Sequence, residues 1–172
     1  MKTKLSIKLK KASIADCKTI FQWQSDPEIR KYSRNIEPVN WLEHVTWFTS
    51  TLSTNSTKHL YIIEQAKSTI GLLRFDQVNR SDYPSINIEK GLTHEKSRAI
   101  SWEISIIIAP AHQGKSMACL ALNHIPNHYK KHDIFAEVHQ KNQASQKTFI
   151  NAGFSRLSNT LFALKTTSLP LE

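Results

Sequence analysis

The residues whose types and spacing most directly suggest chemistry lie in a turn, A-P-A-H-Q-G-K-S-M-A, at positions 109–118. From Ala109 to Ser116 the pattern is A-x-x-x-x-G-K-S, a Walker A phosphate loop with Ala109 in place of the first glycine. A second reading starts at Gln113 and takes in Gly114, Lys115, Ser116, Met117 and Ala118. Both readings use the same physics. Backbone N–H groups at the start of a helix point at an anion and the helix dipole favours it, while Gly114 lets the backbone come close. The turn alone does not say which anion.

Other residues add to the candidate chemistry. Glu103 interrupts an apolar run, S-W-E-I-S-I-I-I-A. A buried carboxylate is costly without a purpose or a partner, so Glu103 is the first candidate for a general base, against the plainer reading of a strand-end acid facing solvent. His44 and Trp47 are three apart on a helix and share a face. His44 could hold a hydroxyl or move a proton and Trp47 could stack on a ring, although aromatic residues are as readily plain packing. Arg30 and Arg74 could grip an anionic substrate group, since the guanidinium matches phosphate with two donors; the alternative for each is a structural ion pair. His124, His128 and His132 lie four apart, but Pro126 interrupts their helix and no carboxylate or cysteine completes a ligand set, so no metal site is expected.

These residues need elements to hold them. Residues 5–12 alternate as a strand. Ser13 caps a helix with Ile14, Cys17, Ile20, Phe21 and Gln24 on helical spacing. Residues 25–33 read as a turn and a short piece. Asn40 caps a helix with a stripe of Trp41, Val45, Phe48 and Leu52. Two strands over 59–66 and 69–78 form a hairpin, and residues 85–92 are a further possible strand in a polar stretch. A long strand over 99–109 stops at Pro110. A helix opens at Gly114 and runs to about residue 130, kinked or ended near Pro126. A strand at 134–140, a helix at 142–152 with Gly153 just past its end, and two strands at 154–158 and 161–167 finish the chain.

The bulk composition fits this order. The chain has 172 residues, 40% apolar and 22% charged, which suits one soluble domain, taken as residues 1–170. Two distant cysteines and no apolar leader or membrane-length run point to a reduced, cytoplasmic protein. The net charge is +9, which attracts anions at long range. Lys and Arg are scattered, so neither a nucleic-acid platform nor a membrane surface is expected. The phosphate-loop reading needs further parallel strands and a strand ending in Asp to hold magnesium. No apolar run here ends in Asp, and the hairpin upstream is antiparallel.

The element order and several motifs resemble the GCN5-related N-acetyltransferase (GNAT) superfamily over nearly the whole chain. Gln113 and Ala118 match its Q/R-x-x-G-x-G/A signature, with Ser116 where the family usually has glycine. Asn142, Ser145, Phe149 and N-A-G-F at 151–154 resemble its second signature. The resemblance implies an α/β (α+β) fold: a mixed, mostly antiparallel sheet with a splayed parallel pair at its centre and helices on both faces. It implies acetyl-CoA as donor. Gln113 to Ala118 would hold its pyrophosphate, the strand at Ile106, Ile107 and Ile108 would offer its backbone to the pantetheine arm, and Asn142, Ser145 and Phe149 would border that arm. It places a base at Glu103 and a second candidate at Glu137. Relatives with a glutamate at Glu137 pair it with a tyrosine where this chain has Phe149, which has no proton to give, so solvent, Tyr129 or His139 is left to protonate the thiolate. The helix of His44 and Trp47 would border the acceptor cleft, with Arg30 and Arg74 as further acceptor contacts.

The segments W-Q-S-D-P-E-I-R-K-Y-S, W-L-E-H-V-T-W-F, G-L-L-R-F-D and E-I-S-I-I-I-A-P are similar to acetyltransferases of bacterial amino-sugar nucleotide pathways, the pseudaminic-acid type being nearest. This implies direct acetyl transfer to a primary amine, an amino-sugar nucleotide, in a monomer or homodimer. A protein N-terminal amine or a polyamine is the rival acceptor, and the basic charge opposes a polyamine. Ser116 and Phe149 leave open a non-catalytic acyl-CoA-binding regulatory module.

Overall fold

A computed structural model describes residues 6–53, 57–79 and 100–164. The possible strand at 85–92 lies outside them. The described strands are β1 (Lys8–Lys11), β2 (Lys58–Gln65), β3 (Ser68–Val78), β4 (Ser101–Ile108), β5 (Asp133–Glu137), β6 (Phe154–Arg156) and β7 (Leu161–Leu164). The helices are α1 (Cys17–Ser25), α2 (Pro27–Arg30), α3 (Trp41–Thr51), α4 (Met117–Asn123) and α5 (Gln143–Asn151). The strands form one sheet in the order β1-β2-β3-β4-β5-β7-β6. Among the described residues only β4 and β5 pair in parallel, as the expected mixed sheet requires.

Strand alternation divides the core. On one face Tyr61, Ile63, Leu73, Phe75, Ile104 and Ala136 pack with Met117, Ala121 and Leu122 of α4 and Phe149 of α5. On the other face Leu60, Ile62 and Leu72 pack with Cys17 and Ile20 of α1 and Phe48 of α3. The β2–β3 hairpin turns through Ala66 and Lys67, both with positive φ, the backbone that a tight two-residue hairpin demands.

Three helices depart from expectation, in their span or in the face they bury. Helix α4 begins at Met117 because Gly114 (φ 71°) and Ser116 (φ 59°) are both left-handed, which no helix continues through. It stops at Asn123 because Ile125 precedes Pro126, and a residue before proline is pushed out of the helical region. In α3 the buried residues are His44, Phe48 and Thr51, while Trp41 is 47% exposed. The helix is turned so that His44 meets the Cys17 carbonyl on α1. In the first helical segment Ile14 is 61% exposed, because residues 14–16 form a separate 3₁₀ turn before α1.

The decisive feature lies between β4 and β5. Their pairing covers Ser101↔Asp133, Trp102↔Ile134 and Glu103↔Phe135 and then ends. Strand β4 runs on to Ile108, still paired with β3, and Ala109 N–H bonds the Ile70 carbonyl before Pro110, which has no N–H, stops the ladder. The two strands therefore part beyond Glu103 and open a wedge in the middle of the sheet.

Candidate active site

A cavity of about 450 Å³ occupies this wedge. Glu103 and Glu137 project into it from β4 and β5. Glu103 lies in register with Phe135, two residues from Glu137, so both acids leave the sheet on the same face. The segment after α2 carries Arg34 over them. Arg34 Nη2 donates to Glu103 Oε1 at 2.9 Å and also to Glu137 Oε2. One nitrogen thus sits between two carboxylates. Burial works against the Arg34 charge, but the two carboxylates outweigh it and raise its pKa above the ordinary arginine value.

Arg30 and Arg74 line the same cavity. Arg30 Nε donates to the Glu37 carbonyl, a bond that uses one donor of five. Arg74 pairs fork to fork with Asp76, Nε donating to Oδ1 at 2.9 Å and Nη2 to Oδ2. It also lies 5.2 Å from the ring centre of Trp47, within cation–π range.

On the donor side, Ile106, Ile107, Asn142, Ser145 and Phe149 line the cavity. Ile106 packs on the α4 face and Ile107 on the α1 face, so their side chains serve the core while the backbone edge of β4 faces the wedge. Asn142 Oδ1 accepts from Ser145 N–H at 3.1 Å and caps α5. Phe149 packs edge-on against Phe154, 5.0 Å between ring centres.

The turn at 113–118 is not part of the cavity wall. Gln113 Nε2 donates back to the Ile108 carbonyl at 3.0 Å, and Lys115 Nζ to the Ala111 carbonyl at 2.8 Å. Both side chains fold back on the turn and leave its backbone outward. Met117 is core. Ser116, at the N-cap of α4, makes no side-chain cap bond, whereas Asp26, Asn40 and Asn142 each cap their helices. The first N–H groups of a helix have no partner within it. A Cβ added at Gly114 would meet nothing within 4 Å, so a ligand can lie against this backbone. These features fit a phosphate group.

Two expected acceptor residues lie elsewhere. His44 is buried, 3% exposed, with Nε2 bonded to the Cys17 carbonyl at 3.0 Å, and rings of Phe21, Trp41, Trp47 and Phe48 surround it. It is a core histidine. Trp47 packs in the same cluster and reaches the site only through Arg74. Ile108 lies beyond the wall and supplies its carbonyl to Gln113. Tyr129, weighed as a proton donor, is fully buried on the α4 face against Phe75. Burial and a hydrogen bond with Tyr61 raise its pKa. His139 does line the cavity, beside Tyr32, which the sequence reading missed along with Arg34, Asp76 and Ser105. Asp76 was within reach of alternation, two residues from Arg74 on one strand. Arg34 was not, because it lies in the irregular segment between α2 and α3, and its partners are 69 and 103 residues away. Among the described residues no group of three or more His, Cys, Asp or Glu could hold a metal, and His124 Nδ1 bonds the Leu120 carbonyl at 2.7 Å. No helix among them is long and apolar enough to cross a membrane.

The family model described as an acetyltransferase (GNAT) domain matches residues 6–155. The chain belongs to the GNAT acetyltransferase family. It is an acetyl-CoA-dependent N-acetyltransferase. No curated protein matches the chain. Among solved structures it is similar in fold to spermidine N-acetyltransferase from Vibrio cholerae in complex with CoA and spermine, with a TM-score of 0.66 and 22% identity over 87% of this chain and 80% of that one. It is also similar to the aminoglycoside acetyltransferase AAC(6')-Ib in complex with ribostamycin and coenzyme A, with a TM-score of 0.69 and 15% identity over 94% of this chain and 93% of that one. A domain from Methanocaldococcus jannaschii has a TM-score of 0.63 and 21% identity over 93% of this chain and 98% of that one.

Proposed function

We propose that this GNAT enzyme transfers acetyl from acetyl-CoA to the amine of an amino-sugar nucleotide, directly, in a ternary complex. The observation that carries the reading is the meeting of two glutamates and three arginines in one cavity where β4 and β5 part. The charged residues on its wall are Arg30, Arg34 and Arg74 against Asp76, Glu103 and Glu137, a formal balance of zero. A polycation favours an acidic site, and the net charge of +9 repels it from a distance. An acceptor with an amine and a diphosphate suits both halves of the wall. Arginine matches phosphate with paired donors, and Arg30 and Arg74 are the proposed contacts.

The donor supplies an activated acetyl thioester. The N–H groups of residues 114–118 hold its pyrophosphate, that of Gln113 being bonded to the Pro110 carbonyl, the β4 edge at Ile106 and Ile107 pairs with the amides of its arm, and Asn142, Ser145 and Phe149 border that arm. An alkyl amine has a pKa of about 10 and arrives protonated. Glu103 takes that proton, directly or through a water, and Glu137 is the second candidate. Lys141 N–H donates to His139 Nδ1 at 3.2 Å, so the neutral ring carries its proton on Nε2, where it can hydrogen-bond the leaving thiolate but not protonate it; the proton itself comes from solvent.

The test is thiol release from acetyl-CoA against 4-amino-sugar nucleotides, spermidine, an aminoglycoside and an N-terminal peptide, with Glu103→Gln in parallel. Turnover on a sugar nucleotide is expected, falling about 10²- to 10⁴-fold in the variant, the range for loss of a general base. Turnover confined to the polyamine or the peptide would overturn the acceptor assignment, and full activity in Glu103→Gln would remove the base.

A further inference from the structure

We propose that Arg34 is the residue that sets acceptor specificity, holding the place of the acceptor's amine and excluding polycations. The inference rests on the proposed acceptor site at Glu103 and Glu137, and goes beyond it by assigning the selection to a residue that makes neither donor nor base.

The geometry is direct. A single nitrogen, Arg34 Nη2, bonds both carboxylates. An acceptor amine that is to lose its proton to either glutamate must come within hydrogen-bond reach of it, and that space is where Nη2 lies. The Arg34 side chain is 66% exposed, that of Glu103 17% and that of Glu137 44%. The cation therefore lies toward solvent, over the acids, and is the group an entering acceptor meets first. Arg34 sits in the irregular segment between α2, which ends at Arg30, and α3, which begins at Trp41, so no helix or strand holds its backbone in place.

The consequence is a selection rule. An acceptor must displace Arg34 from two ion pairs. One that brings an anion besides its amine gives the displaced guanidinium a new partner in the same cavity. One that brings a second ammonium gives it none, and adds repulsion from Arg30 and Arg74 on the same wall. Arg34 is thus a positioning and specificity residue rather than a catalytic one.

The experiment measures spermine binding by titration calorimetry, without acetyl-CoA, to wild type, Arg34→Gln, Arg34→Lys and Arg34→Gln/Glu137→Gln. Thermal melts of each confirm folding, which the exposure of Arg34 favours. Arg34→Gln is expected to bind spermine at least tenfold more tightly than wild type. The double variant is expected to lose most of that gain, and Arg34→Lys, which keeps the charge, to show little of it. With acetyl-CoA present, Arg34→Gln should raise kcat/KM for spermidine and raise KM for the sugar nucleotide. Folded Arg34→Gln with unchanged spermine affinity would overturn the inference, as would an equal gain in Arg34→Lys. Wild type that turns over no amino-sugar nucleotide would sink the acceptor reading alone, because the spermine titrations do not depend on it.

Discussion

Gly71 on β3 lies so close to β4 that a Cβ built on it would come within 2.5 Å of the Ile107 carbonyl oxygen, and within 3.0 Å of the Ile108 and Ile63 Cδ1 atoms. Gly71 stands opposite Ile108 in the β3–β4 register. The backbone on which the proposed donor edge depends is therefore seated against a residue with no side chain. Gly71→Ala must push β4 toward the wedge. The expected cost is about 1–3 kcal/mol, as for other overpacked cores, with a raised KM for acetyl-CoA and a smaller change in acceptor KM. A thermal melt and steady-state kinetics on the variant check both. A melt equal to wild type would show that the strand gives way freely.

Ser116 carries strain that can be removed. Its φ of 59° is left-handed, a region that costs a non-glycine residue roughly 1–2 kcal/mol. Part of that returns as extra freedom of glycine in the unfolded chain. Ser116→Gly is expected to stabilise the protein by about 0.5–1 kcal/mol, which for a chain of this size is a rise of roughly 1–4 °C in Tm. Acetyl-CoA affinity should hold, because the proposed pyrophosphate contacts are backbone N–H groups. A large loss of donor affinity would mean that the Ser116 hydroxyl itself binds the donor.

His44 makes stability depend on pH. Burial lowers its pKa below the ordinary histidine value, against the Cys17 carbonyl, which raises it. Its Nδ1 is buried without a hydrogen-bond partner among the described residues, so a second proton would have nowhere to bond. The folded state disfavours that proton, and the unfolded state accepts it near pH 6.5. The contribution of His44 is therefore fully present above about pH 6.5 and is lost as pH falls through its lowered folded value. His128 shifts in the same direction, so a comparison isolates His44. Urea denaturation between pH 7.5 and 5 should show the wild type losing more stability on acidification than His44→Gln. Parallel curves would place the titration on another group.

The parts that were legible in the sequence are those written in local spacing. The hairpin, the strand stopped by Pro110, helix α5 and Gly153 at its end all follow from near neighbours in the chain. Glu103 was legible because a charge in an apolar strand is out of place. The rest depended on distant partners. His44 and Trp47 were assigned to a common face correctly, but which way that face turns was decided by the Cys17 carbonyl on another helix. The start of α4 was set by two left-handed residues, Gly114 and Ser116, and the spacing of apolar residues carries no sign of φ. Arg34 gave no local signal at all, since its irregular segment becomes part of the site only when the sheet brings Glu103 and Glu137 together beneath it.

The parting of β4 from β5 has a consequence for how such an enzyme can change. On the reading proposed here, the donor is held mainly by main-chain groups, along the edge of β4 and around the turn at Gly114. The acceptor is held by side chains, those of Arg30, Arg34, Arg74 and the two glutamates. A substitution rewrites a side chain and leaves the main chain where it was. Point mutation can therefore redirect the molecule toward a new amine while its grip on the acetyl source persists, so that one half of the reaction is inherited and the other is open to drift.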